Sequence, residues 1–184
     1  MEIVIILGLI FFNGILSMSE IAMVSARKSR LETAAKKGSK TAKTALRLAN
    51  EPDRFLSTIQ IGITLIGILT GLYSGEALAG DLARWLETIG IPQAHSLTLA
   101  KGIIVILVTY LTLILGELVP KHLGMNAPEK IARLIARPME VLSKIASPFV
   151  WLLSASTQAV IRLTGLHTST ENKVTEEEIK AIIQ

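Results

Sequence analysis

Apolar positions in this chain gather into three long runs, over residues 3–24, 55–79 and 97–118. At roughly 1.5 Å of rise per helical residue, each run covers the roughly 30 Å of hydrocarbon in a bilayer. The pattern therefore predicts three membrane-spanning helices. Between the first two runs the pattern changes. Leu31, Ala34, Ala35, Ala42, Ala45, Leu46 and Ala49 recur at helical spacing among lysines, which predicts a basic amphipathic helix pair over 26–50, broken near Gly38. Leu82, Trp85, Leu86 and Ile89 form one apolar face, so a small separate helix is expected before the third span, closed by Pro92. Further juxtamembrane helices are expected over 126–163. Within them Met139 to Leu163 is apolar but interrupted by Lys144, Pro148, Gln158 and several hydroxyls. It reads as a cytoplasmic-side helix pair, with a fourth span as the alternative.

Composition agrees with a bilayer and sets the orientation. Half of the 184 residues are hydrophobic while aromatics make up 4%, which is too oily for a soluble domain of this size. The fold class is all-α integral membrane. Ser25 to Arg54 carries nine Lys or Arg against three acids, whereas Arg84 is the one basic residue of Ala79 to Ser96. Lys121, Lys130, Arg133, Arg137 and Lys144 follow the third span. Basic loops stay inside, so the N-terminus is expected outside and the C-terminus in the cytoplasm. The first run is too long, and preceded by Glu2 rather than a basic cluster, to be a cleaved signal. The net charge of +4 lies in membrane-flanking segments, so anionic lipid headgroups rather than nucleic acid are the expected partner. Thr175 and Glu178 form a capping box for a helix reaching Gln184. Residues 164–184 thus read as the start of a linker into more protein.

A carboxylate inside a span costs several kcal/mol and marks function by default. Glu20 and Glu117 qualify. On the first helix Asn13, Ser17 and Glu20 stand at i, i+4 and i+7, which puts amide, hydroxyl and carboxylate on one face. On the second, Ser57, Gln60, Thr64, Gly67, Gly71 and Ser74 make a small and polar stripe. Close helix packing explains the glycines as well as ion contact does, and Ser57, Thr58 and Gln60 are the better ligand candidates. The third run ends in Gly116-Glu117-Leu118-Val119-Pro120-Lys121. Pro120 has no amide hydrogen, and its ring collides with the carbonyl of Gly116, so that carbonyl is left free beside a carboxylate. Together these oxygens suit a hard cation. The alternative is a helix stop with an interfacial Glu117–Lys121 ion pair. Cysteine is absent and His95, His122 and His167 are isolated, which disfavours a transition metal. No phosphate loop, H-E-x-x-H or nucleophile elbow is present, so no enzyme is expected.

Leu16-Ser17-Met18-Ser19-Glu20 with Ala22 and Arg27, then Gln60-Ile61-Gly62, then Gly116-Glu117-Leu118-Val119-Pro120-Lys121 together resemble the CorC/CNNM family of magnesium transporters, the hemolysin-like proteins with CBS-associated membrane domains. The resemblance implies a homodimer with three spans and a juxtamembrane belt in the cell (inner) membrane. It implies Mg²⁺ bound between helices, with efflux coupled to Na⁺ entry, and cytosolic CBS modules that bind ATP in the full-length protein. By motif, Ser17 is the first-helix ligand, Ser57 or Thr58 the second-helix hydroxyl, and Glu117 the carboxylate. Glu20 falls where some relatives have asparagine, and Gly62, Pro120 and Lys121 have structural roles. The chain departs from the family at Ile63 and Gly67, where many members carry asparagine, which leaves the ion's identity open. A membrane-anchored regulator or ion-sensing scaffold is the competing class.

Overall fold

In the computed structural model, residues 1–163 are described, and they fold into helices joined by short connections. The expected linker helix lies outside the described residues. The chain divides into two compact units, Met1–Ser147 and Pro148–Gln184. In the second, the described residues are helical and expose Phe149, Trp151 and Leu152. The first holds the remainder of the described chain.

Helix α1 (Glu2–Ser25) leads into the pair α2 (Lys28–Lys36) and α3 (Lys40–Asn50), followed by α4 (Pro52–Thr88) and α5 (Gln93–Leu113). A π-helical turn (Ile114–Leu118) then passes into α6 (Val119–Asn126), and α7 (Pro128–Leu163) completes the order. Among the described residues, three helices are long and apolar enough to cross a membrane: α1, α4, and the run from Gln93 to Asn126. This is the all-α, three-span membrane architecture that the apolar runs predict.

Two of the helix ends turn on glycines with positive φ. Gly38 has φ 89° and Gly90 φ 99°, a conformation that side chains disfavour. At the first, Gly38 N–H donates to Ala35 O and Ser39 N–H to Ala34 O; at the second, Gly90 N–H donates to Glu87 O and Ile91 N–H to Leu86 O. Each is the paired hydrogen-bond closure of a glycine C-terminal cap.

Three expectations need correction. The small helix at Leu82 to Ile89 is not separate, because α4 runs unbroken to Thr88. No proline or left-handed glycine interrupts it before Gly90, and its Leu82, Ala83 and Leu86 face pack on Ala100 of α5. Nor does the third span end at Pro120. The π turn lets the helix continue to Asn126, since one extra residue in the turn relieves the clash that a proline ring makes in an α-helix. Met139 to Leu163, expected as a helix pair, lies in the single helix α7.

Packing centres on α1. Leu16 is fully buried and sits over Gly62 of α4, where an added Cβ would lie 2.7 Å from its Cδ1. On its other side α1 meets the third span almost backbone to backbone. A Cβ on Gly14 would come within 2.9 Å of Pro120 Cγ and 3.1 Å of Leu115 O. One on Gly124 would overlap Ile21 Cγ2 and lie 2.8 Å from Met18 O. By contrast, Cβ atoms on Gly67 and Gly71 would meet nothing within 4 Å, so that part of the stripe on α4 does not pack within the chain.

Below the spans, Leu31, Ala45, Leu48, Phe55, Ala132, Ile135 and Met139 join α2, α3, α4 and α7 into the main apolar cluster. Each large member contributes about 1.5–3 kcal/mol on burial. Ion pairs fix the rim: Arg30 with Glu129 at 3.5 Å, and Glu140 held by both Arg47 and Lys144. The hydrogen bond from Lys144, aided by Arg47 and opposed by desolvation, holds the Glu140 carboxyl below its ordinary 4.5.

Two predictions follow from this packing. Gly124→Ala should lower stability by about 1–3 kcal/mol through overpacking, whereas Gly71→Ala should be neutral or stabilising by up to about 1 kcal/mol; thermal unfolding in detergent reads both. Because folding lowers the Glu140 pKa, its stabilising effect is complete above 4.5 and is lost as pH falls through the folded value. Glu140→Gln should therefore lower the Tm at neutral pH, and the deficit should vanish in more acid solution.

Candidate functional site

Inside the bilayer a helix can leave no carbonyl without a partner, and Pro120 removes the donor that Gly116 O would receive in an α-helix. The chain answers in two ways. The π turn closes with Val119 N–H donating to Ile114 O, and Asn13 of α1 donates from Nδ2 to Gly116 O at 3.0 Å, a fully buried bond linking residues 103 apart in sequence. The carbonyl freed by Pro120 is thus taken by an amide from the first helix. The glycine at 116 permits this approach, because a Cβ there would stand 3.2 Å from both Asn13 Nδ2 and Ile10 O.

The same contact strands two oxygens. Asn13 is 5% exposed and Ser17, one turn on along the same face of α1, is 1% exposed. Asn13 Oδ1 and Ser17 Oγ are buried with no hydrogen-bond partner. Orphaned buried polar atoms cost about 1–3 kcal/mol each and are kept where something uses them.

Next to these oxygens stands a charged trio. Lys121 Nζ donates to Glu117 Oε1 at 2.8 Å and lies 3.8 Å from Glu20 Oε2. An i, i+4 pair thus extends to the first helix through a second carboxylate. The ammonium is itself a cation held by two acids from two spans. All three side chains are partly exposed, whereas Asn13 and Ser17 are buried.

Of the residues picked out by sequence, Ser17, Glu20, Gly116, Glu117, Pro120 and Lys121 lie on the facing stretches of α1 and the third span. The hydroxyls of α4 are not tied to them. Thr58 is buried, but its Oγ1 donates to Arg54 O of its own helix at 2.8 Å, and Ser57 is half-buried without a hydrogen bond to the trio. Gly62 serves the Leu16 contact. Asn13 carries more than its place in the polar stripe of α1 suggested, because nothing in the spacing says that its amide reaches Gly116. Among the described residues no three of His, Cys, Asp and Glu cluster as metal ligands. An ion held here would draw on the Asn13 amide and Ser17 hydroxyl oxygens in addition to carboxylates.

If Asn13 exists to satisfy Gly116, the two positions are coupled. Asn13→Leu should destabilise by about 1–3 kcal/mol. In a Pro120→Ala background, where residue 120 regains an N–H for Gly116 O, at least half of that loss should disappear. A double-mutant cycle on thermal unfolding measures it, and strict additivity would disprove the coupling.

The family described as the cyclin M transmembrane N-terminal domain (CNNM) matches residues 4–184 of the chain. The chain is 46% identical over 184 residues to a UPF0053 protein of Synechocystis, covering all of this chain and 41% of that one. It is 30% identical to the UPF0053 protein YhdT of Bacillus subtilis, over 99% of this chain and 40% of the relative. It is 29% identical over 183 residues to a protein of Escherichia coli K12 named polyamine export protein, covering 41% of that protein. The chain spans about two fifths of the length of these curated relatives.

Proposed function

The chain belongs to the cyclin M (CNNM) transmembrane family, and from that premise we propose that it carries a cation across the membrane, with Mg²⁺ as cargo moved outward in exchange for Na⁺. The observation that carries this reading is the pair of buried, unpartnered oxygens, Asn13 Oδ1 and Ser17 Oγ, on the face of α1 that also carries Glu20. Mg²⁺ takes six oxygens and keeps several waters, so a few protein oxygens opening onto partly exposed carboxylates suit it. Moving a divalent charge outward across about 100 mV costs about 4.6 kcal/mol, which is why a driving ion belongs to the proposal. Sodium, the homodimer and the CBS modules with ATP enter by family resemblance, and the inside-facing C-terminus by the basic residues that flank the spans.

The Glu117–Lys121 pair favours two other readings. It is the contact expected of a scaffold whose polar residues only pack helices. It also shows an ammonium seated between two carboxylates, which fits an organic polycation as cargo, the class named for the Escherichia coli relative. In the transport reading Lys121 occupies the carboxylates at rest and yields them to the cargo.

The test is flux in proteoliposomes of the full chain, with Mg²⁺ and spermidine compared. Glu117→Gln should lower Mg²⁺ flux at least about tenfold, the effect of losing about 1.4 kcal/mol of transition-state binding, while Lys121→Met should raise apparent cargo affinity. Spermidine flux with the same mutant pattern would transfer the assignment to polyamines. Absence of flux for both, with equal destabilisation by the two variants, would leave the scaffold.

A further inference from the structure

A second polar hollow lies away from the carboxylate trio, where the first turn of α4 meets α3 and α7. It is a cavity of about 170 Å³, and its charged lining comprises Arg47, Arg54 and Lys144 against Glu51 and Glu140. The cations exceed the acids by one. Glu140 accepts from Arg47 Nη2 and Lys144 Nζ through a single oxygen, and Arg54 donates from Nη2 to Ser147 Oγ at 3.2 Å. Arg54 Nη1 also lies 3.9 Å from Glu51 Oε2, so Arg47 keeps the freer guanidinium fork of the two.

Two independent features point to an anion. Ser143 lines the cavity, is only 5% exposed and makes no hydrogen bond. The first turn of α4, which also lines it, has no side-chain cap: Glu51 at the N-cap position makes none and Pro52 has no amide hydrogen. Phe55 N–H already donates to Glu51 O, so the amides of Asp53 and Arg54, beside the Asp53 carboxylate, are what this turn offers at the positive end of a 37-residue helix.

A third feature says what the anion is attached to. Leu48 and Phe55 line this cavity and also a second, mostly apolar one of about 250 Å³, whose other walls include Met23, Val24, Pro52 and Leu56 together with Lys28. A charged hollow opening beside an oily one, at the start of a membrane span, has the form of a headgroup and an acyl chain. We propose that this double cavity binds an anionic phospholipid, its phosphate held by Arg47, Arg54, Lys144 and the Ser143 hydroxyl and its chain lying over Leu48 and Phe55. Arginine forks match phosphate oxygens in pairs, and basic residues next to a span draw anionic headgroups. Free phosphate shares the polar half of the site but not the apolar half.

The experiment compares the full chain, purified in neutral detergent, with added phosphatidylglycerol, phosphatidylcholine or inorganic phosphate, reading thermal unfolding. Phosphatidylglycerol should raise the Tm, while phosphatidylcholine and millimolar phosphate should not. Arg47→Gln with Arg54→Gln should abolish the rise. Ser143→Ala should weaken the lipid about fivefold, the effect of one hydrogen bond. Glu140→Gln should lower the baseline Tm yet tighten phosphatidylglycerol, because it frees Arg47 and Lys144 for the phosphate; a merely structural salt-bridge cluster gives no such opposite signs. If the double variant does not fold, Lys144→Gln on the exposed rim carries the same expectation at reduced size. Equal responses to the two lipids, or a phosphatidylglycerol rise that survives the double variant, overturn the proposal. Phosphate reproducing the whole shift overturns the lipid.

Discussion

A proline within the third span is the constraint around which this membrane domain is arranged. Its missing donor would leave Gly116 O bare in a medium with no water to satisfy it. The remedy reaches across the protein: a π turn, a glycine at 116 to admit α1, an asparagine at 13 to donate, and glycines at 14 and 124 so that the two helices can touch along their length. Each element is ordinary alone. Together they fix the register of α1 against the third span, and that register brings Glu20 to Lys121.

The sequence showed the spans because length and hydropathy decide them, and it showed the chemistry of Pro120 because that is local to four residues. It could not show where the freed carbonyl would turn. Asn13 stands 103 residues away, and helical spacing says which residues share a face, not which face meets which. For the same reason the glycines of α4 were ambiguous. Gly62, outside the stripe, meets Leu16, while a Cβ on Gly67 or Gly71 within it would meet nothing within 4 Å among the described residues. The separate helix expected at Leu82 failed differently: amphipathic spacing was read correctly, but its apolar face continues α4 to cover α5, and no breaker occurs before Gly90.

The trio of Glu20, Glu117 and Lys121 ties the packing to the proposed exchange through charge. With the ammonium docked, two carboxylates and one lysine leave a formal charge of −1. One sodium ion neutralises that arrangement with Lys121 still in place. A magnesium ion brings one charge too many unless Lys121 withdraws, after which two carboxylates and one divalent ion again sum to zero. Charge left unbalanced within a membrane is expensive, so under the proposed exchange this composition would favour one monovalent ion with the lysine in, or one divalent ion with the lysine out, over both together. Mutual exclusion of that kind is what an exchanger requires of its site. Here it would arise from a tethered ammonium on the helix turn that follows the proline, one turn from the carboxylate it releases.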